Sequence, residues 1–419
     1  MAEPYLRCIT ITLLTLCYVV GCGRAERSQQ NADHGQACGS NSERSTPFQG
    51  PAQVIDAELV YRSRSPMETN GCILLREQDR RVIVCDGRDL VAIDYKGTVS
   101  WRIRDFLGPS ALVGLVDTGT SILSVRSTGW MQRINASTGT IDRHRDLWDS
   151  VPGVGIWSSG VFAAGSWWLT SSRPGLLIRV DLGDLSPTPV LNFHGFVSNP
   201  VVWKNNIVVA SSGVITILGA GGTTSSIKIP DDDDSGYERW ISIDRDALAV
   251  TDGTRVWFFD LANRRMLSRG ALRTSSDAPA AFADGVLVAT GHLNGRGTII
   301  AVDSRDGRPL WSCTREDCCY DTNFVAASGS LFSFDSDHDS KGRWLSVRSL
   351  RTGEVLQRCV LNDILPPTSR DPIVPPLVSG DHLVAVTADG CVLACAVELT
   401  KRKAEHSPGS TLHTIQTAR

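Results

Sequence analysis

Apolar residues along this chain come in short runs, β-branched and aromatic, broken by Gly and Asp. Runs of that kind are strands and not helices, which need longer stretches at a 3.6-residue period. One unit recurs. A short β-rich run is followed by a turn, a second run, a Gly turn, and a third run that ends in a small residue and Asp; a further Gly turn closes it. The clearest copy runs Val286 to Thr290, Thr298 to Asp303, Asp306-Gly307 and Trp311. The next runs Val82 to Cys85, Asp86-Gly87, Leu90 to Asp94, Gly97 and Trp101. The Asp position can be followed as Asp94, Asn135, Asp181, Leu218, Asp260, Asp303, Ser349 and Ala396, at gaps of 37 to 47 residues. Each copy has a short run upstream, such as Cys72 to Leu75, Pro200 to Trp203, Pro279 to Phe282 and Pro376 to Val378. With the strand around each Trp101-like position, the unit has four strands. Eight four-stranded units at a mean period of about 43 residues predict an all-β, eight-bladed propeller of antiparallel blades over 55–399.

The eighth unit stops after its third run, at Val397-Glu398. An apolar run, Ala57 to Tyr61, precedes the first blade and is expected to supply the outer strand of the last. That closure leaves only short, protected edges. The turn residues have a structural logic. Asp94, Asn135, Asp260 and Asp303 accept hydrogen bonds at tight turns, and Gly97, Gly139, Gly307 and Gly353 take a backbone conformation that other residues avoid. Trp101 and Trp311 are expected to bury their indoles between neighbouring sheets.

The motif Ala-x-Asp-x-x-Thr-Gly-x-x-x-Trp is similar to the repeat of quinoprotein (pyrroloquinoline-quinone-type) propellers. Ala301 to Trp311 matches it with Asp306 in the Thr place, and Ala92 to Trp101 matches one residue short. Asn135 to Gly139 and Ser349 to Gly353 keep the turn only, with Arg143 and Gln357 where Trp is expected. The resemblance implies the propeller fold; it does not by itself imply chemistry.

The chain opens with an address. Arg7 precedes an apolar run, Ile9 to Val20, that is too short to span about 30 Å of hydrocarbon as a helix. It reads as a secretory signal. Its end, Val19-Val20-Gly21-Cys22, resembles a bacterial lipobox, with Val19 where Leu is usual. That resemblance implies cleavage before Cys22 and lipidation of Cys22, with residues 1–21 lost. Gly23 in place of Asp implies sorting to the outer membrane, with the anchored protein expected to face the periplasm. Residues 22–54 carry the lipidated Cys and a flexible tether, and 400–419 read as a disordered tail.

Net charge is −3, from 42 basic and 45 acidic residues, so the cationic footprint of a nucleic-acid binder is missing. Of 12 Cys, Cys8 and Cys17 leave with the signal and Cys22 takes the lipid. Export places the other nine in an oxidising compartment, where pairing of several is expected and an odd number leaves one over. Connectivity stays open.

Loops between blades share one face with the second-to-third-strand hairpins. All the larger insertions fall on it: Pro230 to Arg239, Thr314 to Asn323, Asp335 to Arg343 and Asn362 to Pro375. Loops carry function more often than scaffolds do, so this is the expected working face. Asp335, Asp337 and Asp339 alternate as in a calcium loop, but Gly342 is late and Ser346 stands where Glu is needed. Asp231 to Asp234 read as a solvated loop. Cys318-Cys319 evoke the vicinal disulfide of quinoprotein alcohol dehydrogenases; either could equally pair with Cys313 or Cys359. Neither the quinone nor calcium is expected, and no nucleophile elbow, phosphate loop or zinc-protease motif occurs. In signal, size, blade count and repeat type the chain resembles the propeller lipoprotein subunit of the outer-membrane β-barrel assembly machinery. That implies a non-catalytic scaffold that binds other envelope proteins as a monomer within a complex. The alternatives are a quinone-dependent dehydrogenase and a surface sensor or polysaccharide-binding propeller.

Overall fold

The computed structural model describes residues 52–399, apart from 63–72, 77, 87, 107–111, 157–159, 220, 231–239, 273–279, 294–295, 316–323, 337–341, 367–375, 380–381 and 388–389. Eight antiparallel sheets follow one another along the chain. Blades 1 to 7 occupy 73–103, 112–146, 155–193, 201–228, 240–271, 281–315 and 324–360. Blade 8 takes 377–399 and, as its outer strand, Ala52–Arg62.

The repeat phase inferred above is the phase observed. Asp94, Asn135, Leu218, Asp260, Asp303 and Ser349 each end the third strand of a blade, and Asp181 follows the end of one. Ala396 lies in the last strand, Cys391–Leu399, opposite His382. The closing strand starts at Ala52, before the expected apolar run and before the expected domain boundary at 55, because its pairing with Cys391–Leu399 extends down to Ala52↔Leu399. Blade 3 carries a fifth strand, Gly155–Ile156, which pairs with Ser166–Arg173 and was not visible in the sequence pattern.

Inner and middle strands are buried on both faces along most of their described length, since every blade is sandwiched between two others. In Arg255–Asp260, Trp257 and Phe259 pack toward blade 4, while Val256 and Phe258 pack toward blade 6. The buried apolar residues fall into clusters that each fill a seam between blades. Outer strands alternate instead, as in Val355–Val360, because one face meets water. Among the described residues no helix is long and apolar enough to cross a membrane.

Candidate interaction surface

The motif residues sit where blade meets blade. Asp94 Oδ1 accepts the backbone N–H groups of Lys96 and Thr98 at 2.9 and 2.8 Å. Asn135 Oδ1 takes those of Ser137 and Thr138, Asp260 Oδ1 that of Asn263, and Asp303 Oδ1 that of Arg305. These bonds fix the turn, and after Asn135 and Asp303 the next residue's carbonyl, of Ala136 and Ser304, accepts a side chain of the preceding blade. Trp101 Nε1 donates to the Ala136 carbonyl at 2.9 Å, and Trp311 Nε1 to the Leu350 carbonyl at 2.9 Å.

Glycine completes the joint. Gly139 (φ +72°) lies on the Trp101 indole, and an added Cβ would sit 2.7 Å from the ring. Gly353 lies the same way on Trp311. Where the preceding blade lacks Trp, the turn closes onto backbone. A Cβ on Gly307 would run into the Arg269 carbonyl, and one on Gly97 into the Val60 carbonyl of the closing strand. Trp101 is buried at its joint and Trp311 half-buried at its own.

Three joints use other side chains. Ser268 occupies the Trp register and its hydroxyl donates to the Ser304 carbonyl at 2.7 Å. In blade 2 the third-strand Arg133 donates to the Leu182 carbonyl. Gln357 grips the closing strand from blade 7: its Nε2 donates to the Val54 carbonyl at 2.7 Å and its Oε1 accepts the Val54 N–H at 2.8 Å. Blade 1 holds the other end of that strand. The Tyr61 hydroxyl donates to Asp86 at 2.6 Å and accepts from Arg102 at 2.8 Å. Arg102 also pairs with Asp86 at 2.7 Å and Asp89 at 2.9 Å. Burial raises the Tyr61 phenol above its ordinary pKa, and the bond to Asp86 adds to this. For Arg102 burial works against the charge, but the Asp89 and Asp86 carboxylates outweigh it and hold the guanidinium above its ordinary value.

On the turn face, hairpins of blades 4 to 7 are tied in series. Asp246 accepts from Trp203 Nε1 at 2.8 Å and pairs with Lys204. Asp244 accepts the Gly285 N–H at 3.0 Å, and Asp284 the Gly329 N–H at 2.7 Å. Asp303 is buried between Arg305 and Arg351, at 2.5 and 3.4 Å. The hydrogen bond from Arg305 holds its carboxyl below the ordinary 3.8 despite burial.

The opposite face carries the insertions. Of these, 231–239, 316–323, 337–341 and 367–375 lie outside the described residues, and with them Asp231 to Asp234, Cys318, Cys319, Asp337 and Asp339. Cys22 also lies outside. The backbone of Asp335 is described, opposite Trp344 in the blade 7 hairpin. Among the described residues no three His, Cys, Asp or Glu side chains gather into a cation site. Cys313 and Cys359, offered above as disulfide partners, are free thiols, and burial pushes the Cys359 thiol up. What is described of this face includes the 3-10 turn Leu147–Asp149. Leu147 is buried there and Trp148 stays half exposed, its Nε1 donating to the Val154 carbonyl at 2.6 Å. An indole fixed this way presents apolar area at low entropic cost to a binding partner. Nothing in the sequence pattern marked it.

Residues 243–407 match the family model described as outer membrane protein assembly factor BamB. No curated protein matches the chain. Among solved structures the chain is similar to BamB from Moraxella catarrhalis, with a TM-score of 0.61 and 13% identity over 82% of this chain and 99% of that one. It is similar to the quinohemoprotein alcohol dehydrogenase from Comamonas testosteroni, with a TM-score of 0.56 and 11% identity over 88% and 79%. The computationally designed Ika8 protein gives a TM-score of 0.59 at 12% identity, covering 81% and 99%. At such identities the likeness is one of fold.

Proposed function

Starting from a PQQ-like β-propeller that resembles the outer membrane protein assembly factor BamB, we propose that this chain is a non-catalytic scaffold of the bacterial envelope that binds other proteins during outer-membrane protein assembly. The match of residues 243–407 to that family model carries the reading. The ring supports it physically. Inter-blade bonds hold neighbouring blades in register, and a rigid ring lowers the entropic cost of docking. In this reading the protein is a monomer within a complex, docked on the central barrel-assembly subunit. The lipidated Cys22 anchors it to the outer membrane, with the propeller facing the periplasm.

Affinity capture of the full chain from membranes of the native host tests the proposal. The central barrel-assembly subunit should co-purify in near-stoichiometric amount. Its absence, with the protein intact and membrane-bound, would overturn the assembly role. The fold is shared with quinohemoprotein dehydrogenases, so a second arm is needed. Dye-linked alcohol oxidation by the protein supplied with pyrroloquinoline quinone and Ca²⁺ would overturn the non-catalytic reading.

A further inference from the structure

The seam between blades 1 and 2 holds buried polar atoms without partners. Ser124 lies directly opposite Gln132, and Gln132 opposite His144, so the three share one face of blade 2. Arg126 is two residues beyond Ser124 on the same strand and lies on that face too. The neighbouring apolar residues identify which face it is. Ile122 and Ile134, in the same rows, belong to the cluster shared with blade 1, whereas Leu123, Val125 and Met131 pack toward blade 3. Three atoms on this face are buried and unbonded: Ser124 Oγ, Arg126 Nε and Gln132 Oε1. Their residues are 0, 6 and 8% exposed.

Arg126 is the unusual member. One of its N–H groups donates to the Phe106 carbonyl, and its guanidinium lies 5.4 Å from the centre of the Phe106 ring. No carboxylate among the described residues pairs with it. Burial pulls it below its ordinary value, and only the Cys85 thiol opposes that. Water can satisfy an orphaned hydroxyl or amide. It does not neutralise a buried cation, which needs a counter-charge. The open donor on Arg126 suits one oxygen of a carboxylate. The open acceptor on Gln132 suits a hydroxyl on the same molecule, and Ser124 can serve either. Ser124 is wholly enclosed between two blades, so the occupant must be small. Toward the outer edge of this face, Trp130 stacks on the exposed His144 at 5.1 Å.

We propose that the seam between blades 1 and 2 is a binding site for a small hydroxycarboxylate, held by Arg126, Ser124 and Gln132 and entered past Trp130 and His144. This site is independent of the scaffold reading and would be present whichever protein the ring docks to.

The test is the unfolding midpoint of the full chain in sodium glycolate, acetate and chloride at equal ionic strength, read by intrinsic tryptophan fluorescence. Glycolate should raise the midpoint most, acetate less and chloride least, and the glycolate response should saturate. Arg126→Met should abolish the difference between the carboxylates and chloride. Gln132→Leu should keep the acetate response and remove the advantage of glycolate; it carries the test alone if Arg126→Met does not fold. Equal shifts from all three salts in the wild type would overturn the site. So would an unaltered glycolate advantage in Gln132→Leu.

Discussion

Trp101, Trp311, Ser268 and Gln357 occupy one register position in four blades, each opposite the residue two before the turn residue that ends the third strand. The task there is to reach a polar backbone group of the next blade across a seam. An indole does it with large apolar contact, a serine with a hydroxyl alone, and a glutamine with both halves of an amide. The contact area decides what each is worth. Trp101→Ala should destabilise the fold by about 3–5 kcal/mol, the range for removing a buried large aromatic. Trp311→Ala should cost less than Trp101→Ala, because its ring is only partly buried. Ser268→Ala, which orphans a buried carbonyl, should cost about 1–3 kcal/mol. Urea unfolding of the three variants gives the ranking, and a Ser268→Ala loss as large as that of Trp101→Ala would contradict it. Asp303 adds a pH signature. Its folded pKa lies below the ordinary 3.8, so the carboxylate contributes stability that is present above that value and is lost as pH falls through the folded one. Asp303→Asn should flatten the acid limb of the stability curve below about pH 4 and leave the slope at neutral pH unchanged, as followed by unfolding midpoint against pH.

A single strand, Ala52–Arg62, decides whether the eight sheets form a ring or an open arc. It pairs along blade 8, is gripped by Gln357 of blade 7 near one end and is tied to Asp86 and Arg102 of blade 1 near the other. Deletion through Tyr61 should therefore lower the melting temperature, whereas deletion of 23–50, which precedes the strand, should leave it unchanged. Equal melting temperatures for the two would reject closure by this strand. The elements themselves were legible. Their apolar runs and Gly turns repeat, and the Asp phase located all eight third strands, including the weak copies at Leu218 and Ala396. What was not legible depends on residues far apart in sequence. Ser268 carries no aromatic signature of its register. The Tyr61–Asp86–Arg102 group joins three segments with ordinary local composition. The fifth strand Gly155–Ile156 is too short to show a period. The apolar run Ala57 to Tyr61 marked the closing strand, but its polar start at Ala52-Gln53 did not, because pairing with Leu399 and Glu398 sets that boundary.

For the molecule as a whole, the proposed lipid anchor and the ring can be tested apart from each other. Cys22→Ser should release the protein from membranes if the lipid alone anchors it, while its melting temperature stays that of the wild type. Retention in the membrane pellet after a salt wash would contradict lipid anchoring. The closing strand has one more consequence, and it concerns order in time. Ala52–Arg62 emerges more than three hundred residues before its pairing partner, Cys391–Leu399. Closing so long a loop carries an entropic cost that must be met before the pairing returns anything. Until then the first strand has an unpaired edge and the last blade is one strand short. A chain arrested or cut anywhere before Cys391 remains an open arc with two sticky ends, so the interval between emergence of residue 62 and residue 399 is when this protein is most exposed to aggregation and most dependent on chaperones.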